Sequence, residues 1–392
     1  MPLADWPEGG FRFRHLPVGP SRHLVRFLDV DGTIHALKEM PLRIADREYE
    51  VLRHLEALQL PAVSPVGIAE APERETAILV TEYLAHSLQY RRLLMRFPLG
   101  PGPDRDRLLD AMAWLLVDLH RSGVFWGDCS LANTLFRRDG DRIQAFLVDA
   151  ETSEVHPSLS DGQRAYDLEV LVENIAFGLA DLAALQGRPD AFDEAVAAAE
   201  SVRSRYDAVW AELHEEPELR AGDRFAVNAR IRRLNELGFA VDEIELVPGS
   251  VPGRIRMRVA VTTRRFHSHR LEQLTGLVAL EGQARLLLND LREYQAWLES
   301  DEKVTLTREE GASRWLDEVL RPRLDQLAPA IGPHRDPLQA YCDVLETKWL
   351  LSEQVGRDVG LDAAIEHHLA QGAPAPEGSE SGPALDLDAG SA

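Results

Sequence analysis

Two stretches of this sequence set oxygen-bearing side chains among apolar runs. "FWGDCSLANTLF", Phe125 to Phe136, holds Asp128 and Asn133, and "FLVDAET" ends an apolar run on Asp149. A loop carboxylate such as Asp128 can take or orient the proton of a hydroxyl, because that work needs reach more than a raised pKa. The carboxylate of Asp149 and the amide of Asn133 are hard oxygen donors of the kind a small divalent cation prefers. Turn chemistry, with Asp and Asn bonding their own backbone, is the plain alternative. Lys38, in "HALKEM", adds a cation: the chain has 43 basic residues, and Lys38, Lys303 and Lys348 are its only lysines. Each stands where arginine is the default.

The elements around these residues alternate in type. Residues 11–40 read as short strands with turn signals at "PVGPS" and "DGT", the latter a hairpin signal between two apolar runs. "ADREYEVLRHLEAL" has helical apolar spacing at Val51, Leu52, Leu55 and Leu58, and "AILVTEYL" reads as a strand. "DRDRLLDAMAWLLVDLHRSG" predicts an amphipathic helix, acidic at its start and closed by Gly123. "LANTLF" and "IQAFLVDA" predict paired strands around "RRDGD", followed by helices over 164–186 and 191–216. The polar "EEPELRAGDR" sets a domain boundary near residue 218. Beyond it, "VDEIELV" and "RIRMRVAV" flank the turn "PGSVPG" as a hairpin, and helices are expected over 267–299, 307–328 and 336–370, the second opened by a capping box in "TREE". From 371 to 392 the composition falls to Ala, Gly, Pro, Ser and acids and reads as a disordered tail.

A chain of 392 residues exceeds one compact core and implies two domains. Its net charge of −22 argues against bulk attraction to nucleic acid or to an anionic membrane. No apolar run approaches the roughly 20 residues that cross a bilayer. The start, "MPLADWPEGGFRFRH", lacks the features of a signal peptide, and two cysteines allow at most one bridge, so a cytoplasmic setting is the natural expectation.

Strand hairpin, strand with Lys38, helix with Glu48, strand, helix, D-x4-N and a further Asp follow one another in the order of a kinase-like fold. "WGDCSLANTLF…FLVDAE" resembles the "HGD-x4-N…D" pattern of aminoglycoside phosphotransferases and lipopolysaccharide kinases over about residues 11–215, and the whole chain is similar to the bacterial family called domain of unknown function 4032. The resemblance implies an α+β, two-lobed, protein-kinase-like fold over residues 1–217, then a mostly helical domain with a β-hairpin over 218–370 whose role is undefined. It further implies ATP and Mg²⁺ as cofactors and phosphoryl transfer to a small-molecule or carbohydrate hydroxyl, work that is mainly positioning and charge neutralisation. On this resemblance Asp128 serves the acceptor hydroxyl, and Asn133 and Asp149 hold the metal, with Glu151 as a further ligand or a solvated acid. Lys38 holds the phosphates and Glu48 fixes it, Glu50 being the competing choice. Glu82, Tyr83 and Leu84 end the strand beyond which backbone groups meet adenine. Asp167, in "AYDLEVL", matches an Asp that braces the catalytic loop.

Three departures stand beside these matches: no G-x-G-x-x-G precedes Lys38, Trp126 replaces the usual His, and Ala150–Glu151 follows Asp149 in place of Phe-Gly. They open a second reading, a nucleotide-binding pseudokinase or regulatory module whose C-terminal domain engages a partner. A third, nucleic-acid binding, rests on the Arg strip 254–270. There Arg254, Arg256 and Arg258 alternate with apolar residues on one strand face, with Arg264, Arg265, His267, His269 and Arg270 beyond. Pairing with Glu243 and Glu245 across the hairpin is the competing expectation. The histidines lack the cluster a zinc site needs, His367 and His368 read as helix surface, and Trp315, Tyr341 and Trp349 read as core.

Overall fold

Asp31 and Gly32 both take left-handed backbone, with φ of 52° and 89°, the pairing a two-residue hairpin turn demands. They join two strands of the first sheet in a computed structural model that describes residues 2–372, apart from 8, 17, 19–21, 72–74, 95–101, 221, 252–253 and 333–334. The expected tail, from 373 on, and parts of the turns "PVGPS" and "PGSVPG" lie outside the described residues.

The first sheet holds β1 (Phe13–Arg14), β2 (Leu24–Val30), β3 (Thr33–Pro41), β4 (Pro65–Ala71) and β5 (Thr76–Glu82), antiparallel in the order β1-β2-β3-β5-β4. Lys38 thus sits on the middle strand, opposite Val25 on one side and Leu79 on the other. Between β3 and β4 runs α1 (Leu42–Ala57), which buries Ala45, Val51, Leu52 and Leu55 and, on the same face, Glu48.

A helical portion follows: β6 (Leu88–Gln89), α2 (Tyr90–Leu94), α3 (Pro103–Arg121), β7 (Val124–Phe125), β8 (Thr134–Asp139), β9 (Arg142–Leu147), β10 (Glu154–Val155), α4 (Asp161–Leu185) and α5 (Phe192–His214). One apolar core runs through α3, α4 and α5 and takes in Phe136, Ala145 and Leu147 from the β8–β9 hairpin. A Ser160–Gln163 capping box opens α4, satisfying backbone N–H groups that a helix start leaves unpaired. The mixed α+β architecture, a small antiparallel sheet beside a helical portion, is as the sequence implies.

Next come β11 (Glu218–Arg220), α6 (Arg224–Glu236), β12 (Phe239–Pro248), β13 (Arg254–Arg264) and α7 (Phe266–Thr275), the strands ordered β11-β13-β12. The structure divides into two compact units, Met1–Arg285 and Leu286 onward. Arg254, Arg256 and Arg258 do share an exposed face of β13. Their acids come largely from elsewhere than expected. Arg258 bonds Glu216 at 2.7 Å and reaches Glu245 at 3.5 Å, while Glu243 lies opposite Ala260.

α8 (Glu281–Glu302) gives its first turn to the first unit. The second unit adds α9 (Arg308–Trp315), a π-helical turn Leu316–Leu320, α10 (Arg321–Ile331), α11 (Pro337–Val355) and α12 (Gly360–Ala370). Thr307 and Glu310 form the expected capping box. Left-handed Gly276 and Gly356 split two of the expected long helices. Asp290 accepts hydrogen bonds from Trp315 Nε1 and Tyr341 Oη, both at 2.8 Å and both buried. Two expectations are corrected here: Trp349 is 62% exposed rather than core, and His368 is buried rather than on the helix surface. The two cysteines, Cys129 and Cys342, are buried and not joined in a disulfide. No helix of the described residues is long and apolar enough to cross a membrane.

Candidate functional site

Lys38 leaves the middle of the sheet and meets two carboxylates that arrive from different elements. Its Nζ is 3.0 Å from Glu48 Oε2 on α1 and 2.8 Å from Asp149 Oδ2 just past β9. Glu48, 1% exposed, also accepts the Ala150 N–H at 3.4 Å, so α1 and the segment after β9 share one side chain. Glu50 is not the partner. Burial pushes the Glu48 carboxyl up to about 7, opposed by the Lys38 charge. Burial pulls the Lys38 ammonium down, but Glu48 and Asp149 outweigh it and leave its pKa raised.

Asn133 donates its Nδ2 to Asp128 twice, to the carbonyl and to Oδ2, both at 3.1 Å. That commits the amide hydrogens to Asp128 and leaves the lone pairs of Oδ1 as the side chain's means of holding a cation. Ser130 fixes the loop from within: its Oγ accepts from Asn133 N at 3.2 Å and its carbonyl from Thr134 Oγ1 at 2.8 Å. The two clusters are tied through the main chain, where Val148 N donates to the Asn133 carbonyl at 3.1 Å. Glu151 N donates to Asp149 Oδ1 at 3.2 Å, and the Glu151 carboxylate lies 3.0 Å from His23 Nε2, at the foot of β2.

Asp167 braces this loop from α4. It accepts the backbone N–H of Trp126 at 2.7 Å and of Gly127 at 2.8 Å. Gly127 has φ of 82°, which strains any other residue, and a Cβ there would stand a tight 3.0 Å from the Thr152 carbonyl oxygen. His120, near the end of α3, meets Asp167 at 3.1 Å and Tyr206 Oη at 2.8 Å. Burial lowers the His120 pKa despite the opposing pull of Asp167. Asn174 on α4 holds the Cys129 carbonyl at 2.8 Å, and Thr152 and Ser153 hydroxyls hold that of Trp126. Trp126, in the position expected of a His, is fully buried. His120 and Tyr206 were not picked out from sequence, since neither falls in a local motif and their meeting depends on how α3, α4 and α5 pack.

Glu82 and Leu84 lie at the end of β5. The Glu82 N–H goes to the Ser64 carbonyl at 2.8 Å, and the Leu84 carbonyl accepts from Ser87 Oγ at 2.7 Å. No hydrogen bond or ion pair among the described residues joins either to Lys38, Asp128 or Asp149. Nor do three or more His, Cys, Asp or Glu converge on a metal position among the described residues. The donor set suits Mg²⁺ nonetheless, because that ion is commonly held by one or two side-chain oxygens with phosphates and water completing its shell.

Residues 34–187 match the family model described as lipopolysaccharide kinase (Kdo/WaaP), and residues 208–372 match that described as domain of unknown function DUF4032. The chain is 25% identical over 142 residues to the lipopolysaccharide core heptose(I) kinase WaaP of Pseudomonas aeruginosa, which covers 34% of this chain and 53% of that protein. It therefore spans about half the length of that relative. A solved structure described as WaaP in complex with acyl carrier protein is 17% identical, with a TM-score of 0.33 over 52% of this chain and 90% of that one. The chain thus carries, in order, a segment that matches the lipopolysaccharide kinase (Kdo/WaaP) model and one that matches the DUF4032 model.

Proposed function

We propose that the protein is an ATP- and Mg²⁺-dependent phosphotransferase that phosphorylates a hydroxyl of a carbohydrate or other small molecule. The observation that carries this reading is Lys38 held between Glu48 and Asp149 at 3.0 and 2.8 Å. Three charges drawn partly out of water are a poor way to stabilise a fold, since apolar packing does so without the desolvation cost. They make sense where a cation must be aimed. The matched lipopolysaccharide kinase segment, residues 34–187, contains all three.

In this reading ATP supplies the transferable phosphoryl group and Mg²⁺ neutralises its charge, with Asn133 and Asp149 as protein ligands and Glu151 as a further donor. Lys38 binds the phosphates and Glu48 keeps it in place. Backbone groups around Glu82 and Leu84 receive adenine. Asp128 takes the proton of the acceptor hydroxyl as the oxygen–phosphorus bond forms and the bond to the ADP oxygen breaks. Asp167 and His120 keep the Trp126–Gly127 backbone, and so Asp128, in position. The nucleotide chemistry falls to residues 1–217 and a separate role to 218–370. A cytoplasmic setting agrees with two unbridged, buried thiols.

A second reading, a nucleotide-binding module with little turnover, is favoured by one contact: Glu151 is engaged by His23 at 3.0 Å rather than left for a metal. Release of γ-phosphate by the purified protein, with Asp128→Ala as control, separates the two. Turnover lost in the variant supports the enzyme. Equal turnover removes Asp128 from the chemistry. Stabilisation by Mg-ATP with no turnover supports the module, and no stabilisation opposes both.

A further inference from the structure

The hairpin β8–β9 carries a proposed metal ligand at each end: Asn133 immediately precedes β8 and Asp149 follows β9 by two residues. Its tip, Asp139 to Arg142, is seated in the first turn of α8, within the segment that matches the domain of unknown function. Asp139 is 2% exposed, and its Oδ1 accepts the Gln283 N–H at 2.8 Å. Gly282 packs so closely that a Cβ there would stand 2.2 Å from the Asp139 carbonyl oxygen, and only a glycine fits. Arg285 adds a bond to Asp141 at 2.6 Å.

The seat itself is tied down. Glu281 accepts the N–H groups of His267 and Ser268, both at 2.9 Å, and meets His267 Nδ1 at 2.7 Å, which locks the start of α8 to the start of α7. Arg264, at the end of β13, lies 3.6 Å from buried Asp118 and over the Trp114 ring, both on α3. Arg121 donates to the Val261 carbonyl at 3.0 Å. Residues 208–285 are therefore fastened to α3 and to the hairpin tip, elements that lie on either side of the Asp128–Asn133 loop in the chain.

We infer that this first part of the DUF4032 segment is a built-in brace that sets the position of Asn133 and Asp149, acting through the contact of Asp139 with Gly282 and Gln283. What those two residues hold rests on the phosphotransferase reading; that they are positioned by the brace does not. The hairpin is a stiff two-stranded lever: Asp139 pairs with Arg142 at one end and Thr134 with Leu147 at the other. A shift at the tip is carried along paired strands to Asn133 and Val148, whose mutual backbone bond closes the far end. Asp139 and Gly282 are thus positioning residues, supporting metal ligands through the backbone as outer partners do elsewhere.

The test uses the full chain with Asp139→Ala, which removes the acceptor of the Gln283 N–H, and Gly282→Ala, and Leu182→Ala as a control that opens a cavity at the far end of α4. Two quantities are read. One is amide exchange at Val148 and Glu151 in the ligand-free protein; the other is the Mg²⁺ concentration at half-maximal binding of a non-hydrolysable ATP analogue. Faster exchange at both amides and a midpoint raised roughly 10-fold, as for lost outer partners of a metal site, with neither change in Leu182→Ala, bears the brace out. Unchanged exchange and midpoint, or equal changes in Leu182→Ala, overturn it. If Gly282→Ala does not fold, Asp139→Ala carries both readings. If the unmodified protein binds no nucleotide, the phosphotransferase reading falls and the exchange data alone decide the brace.

Discussion

Lys38 and Asp149 lie 111 positions apart in the chain and 2.8 Å apart in the structure. The contact joins the middle strand of the first sheet to the segment after β9, and Glu48 closes it from α1. A lysine used only to neutralise two acids would be replaceable, whereas one aimed at phosphate would not. Lys38→Met is expected to weaken Mg-ATP binding by about 10-fold or more, a loss of about 1.4 kcal/mol. Calorimetric titration measures it, and unchanged affinity would remove Lys38 from the nucleotide site.

Glu48 gives a pH signature. Its carboxyl is pushed by burial from an ordinary 4.5 to about 7, so between those values the folded protein keeps a proton that the unfolded chain has released. Folding takes up a proton there, and this group's contribution to stability declines as pH rises through the window. Glu48→Gln is expected to remove that slope. Urea unfolding of both proteins at several pH values from 5 to 8 would show the stability difference moving in the variant's favour as pH rises; a constant difference would contradict it.

Asp167 serves three donors at once: Trp126 N, Gly127 N and, when its Nε2 carries the proton, His120. With alanine in its place those groups stay buried without an acceptor, at about 1–3 kcal/mol each where no water enters. We expect Asp167→Ala to lose about 3 kcal/mol or more in chemical denaturation and Asp167→Asn, which keeps one acceptor, to lose less. Equal losses would mean that the bonds to the loop backbone do not matter.

Two tryptophans of the second unit should behave oppositely. Trp315 is fully buried and bonded to Asp290, so Trp315→Ala is expected to cost about 3–5 kcal/mol. Trp349 is 62% exposed, and Trp349→Ser should change stability by no more than about 0.5 kcal/mol. Thermal unfolding of the pair reads this directly, and a large loss in Trp349→Ser would indicate a contact within the protein that its exposure does not reveal.

Much of the first unit was legible because its signals are local. "DGT" announces its hairpin by two residues that tolerate positive φ, and Glu48 rather than Glu50 faces Lys38 because it shares the buried stripe of Val51, Leu52 and Leu55. Other elements gave no local signal. β4, "PVGIAEA", has a Pro and a Gly and no clean alternation, yet it pairs along β5. α6, rich in Arg, follows the polar stretch 215–224 and buries only Leu234. Trp349 and His368 show the limit of helical periodicity, which marks a face but not which neighbour covers it. The links from His120 to Tyr206, 86 positions away, and from Gln283 to Asp139, 144 away, arise only when helices and hairpin tips meet.

The two sulfhydryls offer a clock that needs no label. Cys129, next to Asp128, is wholly enclosed, and burial drives its thiol well above the usual range, so an alkylating reagent finds it inert until the surrounding segment opens. Cys342 is equally enclosed in the other unit. Tracking which sulfur is capped first, and how fast, would therefore time the opening of each half separately in the unaltered protein.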